Sequence, residues 1–400
     1  MLGPLHDVRV LDLTGVVSGP FGAMWLADQG ADVIKIEPPS GGDQGRYVGA
    51  GFLGYSALFA TCNRNKRSIA LNLATPEGLE VAMELAARAD VVLENFRPGV
   101  AERLGLGYTA VRARNPQVVY ASISGYGPDG PYAGRKTYDS IVQAGSGLAD
   151  MQAGGREPPQ LINTIICDKV AGLAAAQAIT AALYSRAQGR GGQQIWISML
   201  EATLAFNWPD VMWNETFLSE TFKPGLTIAD TYRLWPTRDG HIAIVFISGG
   251  AFEGWCRALR APLEIASETF ETEAASRLRW LELQPLWEAR IADLDTDEAL
   301  RRLHAEGVPA GRVARRSEVP LDPQVVSDGS VVRLEHPAYG PMQMSRPAAR
   351  FAGFEPPTPR VAPDLGRDSM AILEEIGMGG ERASRLLRDG VVRGPASTPN

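Results

Sequence analysis

Short apolar runs alternate with amphipathic stretches through the first half of the chain. The apolar runs have the length of β-strands and are bounded by glycine, proline or polar residues, so they predict strands. The predicted strands span 8–14, 31–39, 67–73, 90–96 and 118–127. The predicted helices span 20–29, 75–89 and 100–115, the last interrupted at Leu104-Gly105. Strands that alternate with helices are typical of a parallel sheet with helices on both faces, so we predict an α/β fold.

The second half of the chain changes character near residue 215. Before that point a long Ala-rich helix (168–187), a strand (193–199) and a helix (200–213) continue the earlier pattern. Beyond residue 230, Asp239-Gly240 separates two apolar runs, which is a hairpin signal, and charge-rich helical segments follow. We expect a large α/β domain, a smaller α+β domain and a C-terminal return segment that packs on the large domain. Their predicted bounds are 1–215, 230–325 and 330–390.

Composition narrows the class of protein. The 400 residues are 45% hydrophobic and 21% charged, with a net charge of −7, which lacks the basic character of a nucleic-acid-binding protein. Three cysteines without a CxxC motif predict no disulfide framework and a reducing, cytoplasmic location. The four histidines lack the spacing of metal ligands, and the N-terminus lacks a signal-peptide pattern. The most apolar stretch, 170–184, is too short to span a bilayer.

Candidate ligand-binding loops follow four of the predicted strands, at 14–20, 37–46, 94–99 and 124–136. Ligands of open parallel sheets bind at the carboxyl ends of the strands, where small residues allow the backbone to come close. Turn chemistry explains each loop alone, but their coincidence on one edge favours a site. Basic residues that could bind phosphate near these loops are Arg64, Lys66, Arg67, Arg97, Arg103, Arg135 and Lys136. Neither a GxGxxG nor a P-loop motif is present, which disfavours those phosphate sites.

Asp168 is the candidate nucleophile. It lies between the apolar run LINTIIC and the predicted Ala-rich helix. A carboxylate at a helix N-terminus is favoured by the helix dipole and by free N–H groups, so a plain N-cap is one explanation. A carboxylate in a dry site can also act as a nucleophile, and the apolar flanks favour that alternative. These sequence patterns indicate an α/β enzyme that binds an anionic ligand, but they do not identify the reaction that it catalyses.

Several segments resemble coenzyme A (CoA) transferases of family III, the formyl-CoA transferase and carnitine-CoA transferase type. The most specific are NKRSIALNL at 65–73 and ENFRPG at 94–99, the latter followed by Arg-Leu-Gly at 103–105. The opening segment 10–20, the strand at 33–37 and the Gly-Tyr-Gly turn at 125–127 also resemble that family. The resemblance is close over roughly residues 1–210.

The resemblance implies a Rossmann-like large domain that binds CoA, and a homodimer whose two ring-like subunits interlock. It implies that Asp168 attacks an acyl-CoA to form a mixed anhydride, which the released CoA converts to an aspartyl-CoA thioester; a carboxylic acid then reverses these steps. Gly249 and Gly250, after Ser248, correspond to a glycine-rich loop that covers the intermediate and stabilises oxyanions. The implied CoA contacts are Val16, Val17, Ser18, Leu71, Asn72, Ala74, Asn95, Phe96, Arg97, Arg103 and Lys136. Pro38 replaces an arginine that contacts the nucleotide in some members.

Three other functions remain open. Related 2-methylacyl-CoA racemases need a His–Asp pair to move an α-proton, but the corresponding segment here, 133–139, has no histidine. A thioester hydrolase would require water in the site, and a non-catalytic CoA-binding protein would not use Asp168. For a transferase, Arg46, Arg64 and Arg135 are candidates to receive the second carboxylate of a dicarboxylic acid. No metal is implied.

Overall fold

The computed structural model describes residues 3–154, 158–225, 227–245, 249–354 and 358–394. The chain divides into two compact units. The first unit comprises Met1–Ala149, Gln160–Asn207 and Val326–Asn400, and the second comprises Asp150–Pro159 and Trp208–Val325. Each unit is therefore assembled from segments that are separated along the chain.

The strands form where the chain carries apolar runs. The six strands predicted between residues 8 and 199 are confirmed as β1, β2, β5, β6, β7 and β8, each shorter than predicted. In chain order the strands are β1 (Arg9–Asp12), β2 (Asp32–Glu37), β3 (Gly51–Phe52), β4 (Tyr55–Ser56), β5 (Arg67–Leu71), β6 (Val91–Glu94), β7 (Val119–Ser124), β8 (Gln194–Ser198), β9 (Leu234–Pro236), β10 (His241–Ile244), β11 (Ala310–Arg312), β12 (Val331–His336), β13 (Gly340–Ser345) and β14 (Val392–Arg393).

Helices begin and end at the expected local signals. Thr75 caps α3, because its Oγ1 accepts a hydrogen bond from the N–H of Gly78 (3.1 Å). Gly105, with φ of +76°, separates α4 from α5, so the predicted interruption is confirmed. The helices are α1 (Ser18–Asp28), α2 (Ala57–Cys62), α3 (Pro76–Ala87), α4 (Val100–Arg103), α5 (Tyr108–Arg114), α6 (Asp139–Gly145), α7 (Leu148–Ala153), α8 (Cys167–Ser185), α9 (Met199–Val211), α10 (Gly249–Ala258), α11 (Leu263–Ala266), α12 (Glu273–Glu282), α13 (Gln284–Ala292), α14 (Thr296–Ala305), α15 (Pro323–Asp328), α16 (Ser369–Glu375) and α17 (Gly380–Arg388).

The first unit is built on a seven-stranded sheet with the order β14-β5-β2-β1-β6-β7-β8. All neighbours pair in parallel except β14, which runs antiparallel to β5. Leu11 of β1 pairs with Ile34 of β2 on one side and with Val92 of β6 on the other. Without β14, the strand order β5-β2-β1-β6-β7-β8 is that of a doubly wound sheet. The direction in which successive strands are added reverses between β1 and β6. The predicted α/β fold with a parallel sheet is confirmed.

The C-terminal segment packs against β5. The carboxylate of Asp368 accepts a hydrogen bond from the N–H of Ser68 (2.9 Å), and the hydroxyl of Ser68 accepts one from Gly366 (3.0 Å). Val392 of β14 pairs with Leu71. Apolar side chains of α16 and α17 join the core on this side of the sheet, among them Ile372 and Leu386. Burial on both faces explains why the sheet strands are almost continuously apolar.

The second unit combines a three-stranded antiparallel sheet, β11-β10-β9, with helices α10 to α14. The hairpin predicted around Asp239-Gly240 is confirmed by the pairing of β9 with β10. Its core contains four buried tryptophans in mostly edge-to-face contact: Trp235, Trp255, Trp280 and Trp287. In the part of the chain that the structure describes, no helix has the length and apolarity to cross a membrane.

Candidate active site

A cavity of about 850 Å³ opens at the carboxyl edge of the first unit's sheet. The loops that follow β1, β2, β5, β6 and β7 line it, together with the start of α8. This is the edge at which doubly wound sheets bind their ligands, at the point where the strand order reverses. The predicted residues that lie in the cavity wall are Val16, Ser18, Leu71, Asn72, Ala74, Asn95, Phe96, Arg97, Lys136 and Asp168.

Four predicted residues lie elsewhere. Val17 is the N-cap residue of α1 and is buried, with 3% of its surface exposed. Arg103 is exposed at the last position of α4. Gly249 and Gly250 are the first residues of α10 in the second unit, and Ser248 lies outside the described residues. The functional roles of these four remain predictions.

A short backbone turn at residues 14–17 forms one wall of the cavity. Asn95, from the loop after β6, fixes its middle: the Asn95 side chain accepts a hydrogen bond from the N–H of Gly15 (2.8 Å) and donates one to the Gly15 carbonyl (2.8 Å). Val16 has φ of +67°, a left-handed conformation that β-branched residues rarely adopt. The turn thus joins the two loops on either side of the point where the strand order reverses.

Asp168 is the second residue of α8 and is half-buried in the cavity wall. The hydroxyl and the backbone N–H of Ser18, at the start of α1, interact with its carboxylate and favour its ionised form. Burial and the nearby carboxylate of Asp139 raise the pKa of Asp168 to about 6, and the two polar groups of Ser18 oppose this shift. The carboxylate is therefore ionised at neutral pH but more basic than an exposed aspartate, which suits a nucleophile.

Asp168 is not the N-cap of its helix, so that alternative is wrong. The N-cap residue of α8 is Ile166, whose apolar side chain makes no capping hydrogen bond. Asp139 performs this function instead: its Oδ2 accepts hydrogen bonds from the N–H groups of Cys167 (2.7 Å) and Asp168 (3.2 Å). Gln143 donates to the other oxygen of Asp139 (2.6 Å). Because Asp139 satisfies the helix terminus, the Asp168 side chain is left to face the cavity.

Two glycines set the distance between the helices that carry Ser18 and Asp168. Gly22 of α1 packs directly on Gly172 of α8. A Cβ atom added to Gly22 would lie 2.7 Å from the Gly172 carbonyl oxygen, and one added to Gly172 would lie 2.5 Å from the Ser18 carbonyl oxygen. The close backbone approach therefore depends on the absence of side chains at both positions.

Buried ion pairs lie beneath the turn at residues 14–17. The ammonium group of Lys66 donates to Asp12 Oδ2 (2.8 Å), and that of Lys35 donates to the Thr14 carbonyl (2.6 Å) and pairs with Asp43 (3.0 Å). Burial works against ionisation of Asp12, but Lys66 and Lys35 outweigh it and lower its pKa to about 2. Lys66 thus stabilises the fold and is not available to a phosphate, contrary to the prediction.

Three more predicted ligand cations are instead paired with carboxylates. Arg46 is fully buried and binds Glu37 through two hydrogen bonds (2.7 and 2.8 Å). Arg64 binds Asp28 in the same bidentate manner (2.9 and 2.5 Å), and Arg67 pairs with Asp32 and Glu375. Since these guanidinium groups already have anionic partners, the prediction that Arg46 and Arg64 receive a substrate carboxylate is wrong.

Exposed cations do occur at the cavity. Arg97, Arg135 and Lys136 lie in its wall with exposed side chains. The guanidinium of Arg135 lies 3.8 Å from the ring centroid of Tyr132, which orients it without neutralising it. These three side chains are free to bind phosphate or carboxylate groups at this edge of the sheet.

The family model for CoA-transferase family III matches residues 5–369. The chain belongs to CoA-transferase family III. It is 34% identical over 394 residues to the human succinyl-CoA:glutarate CoA-transferase, a match that spans 97% of this chain and 90% of the relative. It is 31% identical over 402 residues to the formyl-CoA:oxalate CoA-transferase of Escherichia coli O6:H1, across 94% of this chain and 96% of the relative. The resemblance noted in the sequence is confirmed.

The fold is also that of a solved family member. A crystal structure of a CaiB/BaiF family protein from Brucella suis superposes with a TM-score of 0.81 at 31% identity, covering 94% of this chain and 100% of that one. None of the four histidines of this family III transferase, all in the described part of the chain, lines the cavity. Among the described residues, no group of three or more His, Cys, Asp or Glu side chains could hold a metal ion.

The sequence did not identify two residues that shape this site. Asp139 lies 28 residues before Cys167, whose N–H it binds, and Asp43 lies 27 residues after Val16, whose N–H it binds. Hydrogen bonds across such separations have no local sequence signature. The only available signal for Asp43 was its place in the glycine-rich loop after β2.

Proposed function

We propose that this family III transferase moves CoA from an acyl-CoA donor to a dicarboxylic acid, with Asp168 as the group that carries the acyl chain. The observation that carries the proposal is the position of Asp168: a half-buried carboxylate in the cavity wall, held by Ser18 and not paired with any cation among its described contacts. A cation would hold the carboxylate as an ion pair, whereas N–H and O–H donors leave it reactive.

Each step exchanges one acyl bond for another. A carboxylate oxygen of Asp168 attacks the thioester carbonyl, the C–S bond breaks, and CoA leaves as its thiolate with a mixed anhydride on Asp168. The thiolate then attacks the side-chain carbonyl carbon of Asp168, releasing the donor carboxylate and leaving an aspartyl-CoA thioester. The acceptor carboxylate attacks that same carbon and expels the thiolate, which finally attacks the acceptor acyl carbon and restores the Asp168 carboxylate. No proton or electron is consumed.

Ser18 is suited to stabilise the oxyanion that forms on the side-chain carbonyl of Asp168. Its hydroxyl and backbone N–H already contact the carboxylate, and the N–H lies at the N-terminus of α1, where the helix dipole favours negative charge. Gly249 and Gly250 would provide further N–H donors, a role carried over from the family resemblance. Removing the Ser18 hydroxyl would leave the N–H in place and test the two donors separately.

The CoA moiety would lie along the cavity. Arg97 and Lys136 are exposed cations in its wall and would bind the phosphate groups. We extend the same proposal to the remaining predicted contacts, which are Val16, Val17, Leu71, Asn72, Ala74, Asn95, Phe96 and Arg103. Holding CoA through all four steps keeps the thiolate at high effective concentration beside the anhydride.

Arg135 would bind the second carboxylate of the substrate. Of the three arginines considered for this role, Arg135 lines the cavity and the other two do not. Arg46 and Arg64 are instead paired with Glu37 and Asp28. The names of two relatives, for succinyl-CoA with glutarate and for formyl-CoA with oxalate, indicate dicarboxylic acids as substrates of those proteins. Arg135→Ala should raise the KM for dicarboxylates and leave that for monocarboxylates unchanged. An equal effect on both classes would contradict the role.

We also propose that the protein is an interlocked homodimer in the cytoplasm. The edge strand β8 exposes Trp196 (55%), and helix α9 exposes Phe206 (57%), so both carry apolar surface for a partner. The three cysteines are buried and free. Sedimentation equilibrium should give a dimer that does not dissociate on dilution, as interlocked rings require. A monomer at micromolar concentration would contradict it.

The test of the mechanism is intact-protein mass spectrometry with a panel of acyl-CoA donors, followed by hydroxylamine trapping and peptide mapping. We expect an adduct on Asp168 with a succinyl, glutaryl or similar donor, and none in Asp168→Asn. A mapped adduct on another residue would refute the assignment of Asp168. Exchange of the donor's α-proton in deuterated water, without any adduct, would indicate the racemase reaction instead.

A further inference from the structure

Three side chains hold three consecutive backbone positions in the turn between β1 and α1. The ammonium group of Lys35 donates to the Thr14 carbonyl (2.6 Å), and Asn95 binds both the N–H and the carbonyl of Gly15 (2.8 Å each). The carboxylate of Asp43 accepts from the N–H of Val16 (2.9 Å). Each comes from a different part of the chain, namely β2, the loop after β6 and the loop after β2. The conformation of the turn therefore depends on side chains from other parts of the chain.

Val16 needs this support because its backbone is left-handed. Its φ of +67° is accessible to glycine but is strained for a β-branched side chain. A valine would return to an extended conformation if the contact to its N–H were lost. Since Ser18, the first residue of α1, is two residues further on, such a change would move the N–H and hydroxyl that contact Asp168.

Asp43 is itself held rigidly. It is 6% exposed, and its Oδ1 accepts a second hydrogen bond from the N–H of Gly45 (2.8 Å) as the cap of a short helical turn. Its Oδ2 pairs with the buried ammonium group of Lys35 (3.0 Å), and its own N–H donates to Glu37 (3.1 Å). Neither carboxylate oxygen can rotate away from the turn without losing a buried contact, so Asp43 can hold a strained neighbour.

From this geometry we infer that Asp43 is a positioning residue: by holding Val16 in the left-handed conformation, it keeps the Ser18 donors against Asp168. The inference rests on the proposed role of Asp168 as the acyl carrier. Asp43 would act through the backbone and would not itself touch the reacting atoms. Its loss would therefore affect the reactivity and the titration of Asp168.

The test compares wild type with Asp43→Ala, Asp43→Asn and the double variant Asp43→Ala/Val16→Gly. For each, the rate at which the hydroxylamine-sensitive adduct forms is measured from pH 5 to pH 8 with a saturating acyl-CoA donor. Asp43→Ala should be slower on the order of 100-fold, the effect of roughly 1 Å of misplacement. The midpoint of its pH profile should move upward, because the Ser18 hydrogen bonds that lower the pKa of Asp168 are lost.

The other two variants separate positioning from simple structural support. Asn retains an oxygen for the N–H groups of Val16 and Gly45 but loses the ion pair with Lys35, so Asp43→Asn should recover part of the rate lost in Asp43→Ala. Glycine adopts the left-handed conformation without strain, so Val16→Gly should restore about tenfold of the rate lost in Asp43→Ala. Loss of rate in Asp43→Ala without an upward midpoint, or without recovery through Val16→Gly, would refute the inference. If Asp43→Ala does not fold, Asp43→Asn decides the test: a rate lowered on the order of 100-fold without an upward midpoint, although the oxygen is retained, would refute the inference.

These outcomes are distinct from failure of the proposed function. If the wild type forms no adduct on Asp168 with any donor, the acyl-carrier proposal fails first and the inference about Asp43 fails with it. If the adduct maps to Asp168 in wild type and Asp43→Ala forms it at the same rate and with the same pH profile, the positioning inference alone fails.

Discussion

Replacing Gly172 with alanine should slow the enzyme by forcing two helices apart. In α8, Gly172 contacts the backbone of α1 at Ser18 and Gly22. A Cβ on Gly172 would lie 2.5 Å from the Ser18 carbonyl oxygen, whereas ordinary contacts begin at 3.4 Å. The obstacle is backbone within α1, which cannot rotate aside as a side chain can. The helices must therefore separate by roughly 0.9 Å, the difference between these two distances.

The separation has two measurable consequences. Inserting a methyl group into a tight contact costs about 1–3 kcal/mol, and replacing a helical glycine by alanine stabilises by about 0.5–1 kcal/mol, so the free energy of unfolding should fall by up to about 2.5 kcal/mol. The chemical effect is larger. Because Ser18 is on one helix and Asp168 on the other, the donors move from the carboxylate by nearly 1 Å, which should slow adduct formation on the order of 100-fold.

Urea unfolding and the rate of hydroxylamine-sensitive adduct formation measure the two effects. Gly145→Ala provides a matched control, because Gly145 ends α6 in the same unit and has no atom within 4 Å of an added Cβ. The control should match the wild type in rate. If Gly172→Ala loses stability but keeps the wild-type rate, the spacing of α1 and α8 does not determine the reactivity of Asp168, and the reasoning is wrong.

Three other predictions concern ionisable groups. The rate of adduct formation in the wild type should rise with pH through about 6, the pKa of Asp168. Ser18→Ala should move this midpoint upward, because the hydroxyl that helps to lower the pKa is removed. Identical pH profiles for wild type and Ser18→Ala would exclude an interaction between the Ser18 hydroxyl and Asp168. Burial raises the pKa of Glu94 from 4.5 to about 7. The folded protein therefore retains a proton that the unfolded chain releases, and stability should fall as pH rises from 4.5 to 7, by up to about 3 kcal/mol at about 1.4 kcal/mol per pKa unit. Glu94→Gln should abolish this slope in urea unfolding, and an unchanged slope would assign it to other groups. Lys66→Met leaves Asp12 buried without its nearest cation and should lower the free energy of unfolding by about 3–5 kcal/mol, whereas a loss below 1 kcal/mol would show that the pair is dispensable.

The sheet could be predicted because its signals are local. Each strand of the large sheet except β14 is an apolar run bounded by turn residues, and the helix signals at Thr75 and Gly105 act within a few residues. Strand β14 was missed because it has two residues, Val392 and Arg393, and exists only through pairing with β5. A strand that depends on a distant partner has no periodicity of its own.

The site could be predicted only in part, and the errors have one cause. Motifs identified the cavity wall around Asn95 and Asp168, but charge alone could not separate ligand-binding cations from paired ones. Lys66 and its partner Asp12 are 54 residues apart, and Arg64 and its partner Asp28 are 36 residues apart. An arginine that binds a phosphate and one that binds a buried carboxylate look alike in sequence, since the difference depends on which acidic residue the fold places beside it.

The difference between paired and unpaired cations also bears on the reactivity of Asp168. The cations beneath the turn are neutralised by carboxylates, as in the pair of Lys35 with Asp43, so they hold backbone in place and add little field at Asp168. Arg97 and Lys136 are exposed in the cavity wall, where the phosphates of CoA would need them. Among the described residues, Asp168 receives the dipolar donors of Ser18 and no cation, and its pKa is about 6 in a half-buried position. A cation beside it would stabilise the resting carboxylate more than the transition state, in which that charge moves onto the substrate. The paired charges therefore leave neutral donors, and no cation among the described residues, beside the proposed nucleophile.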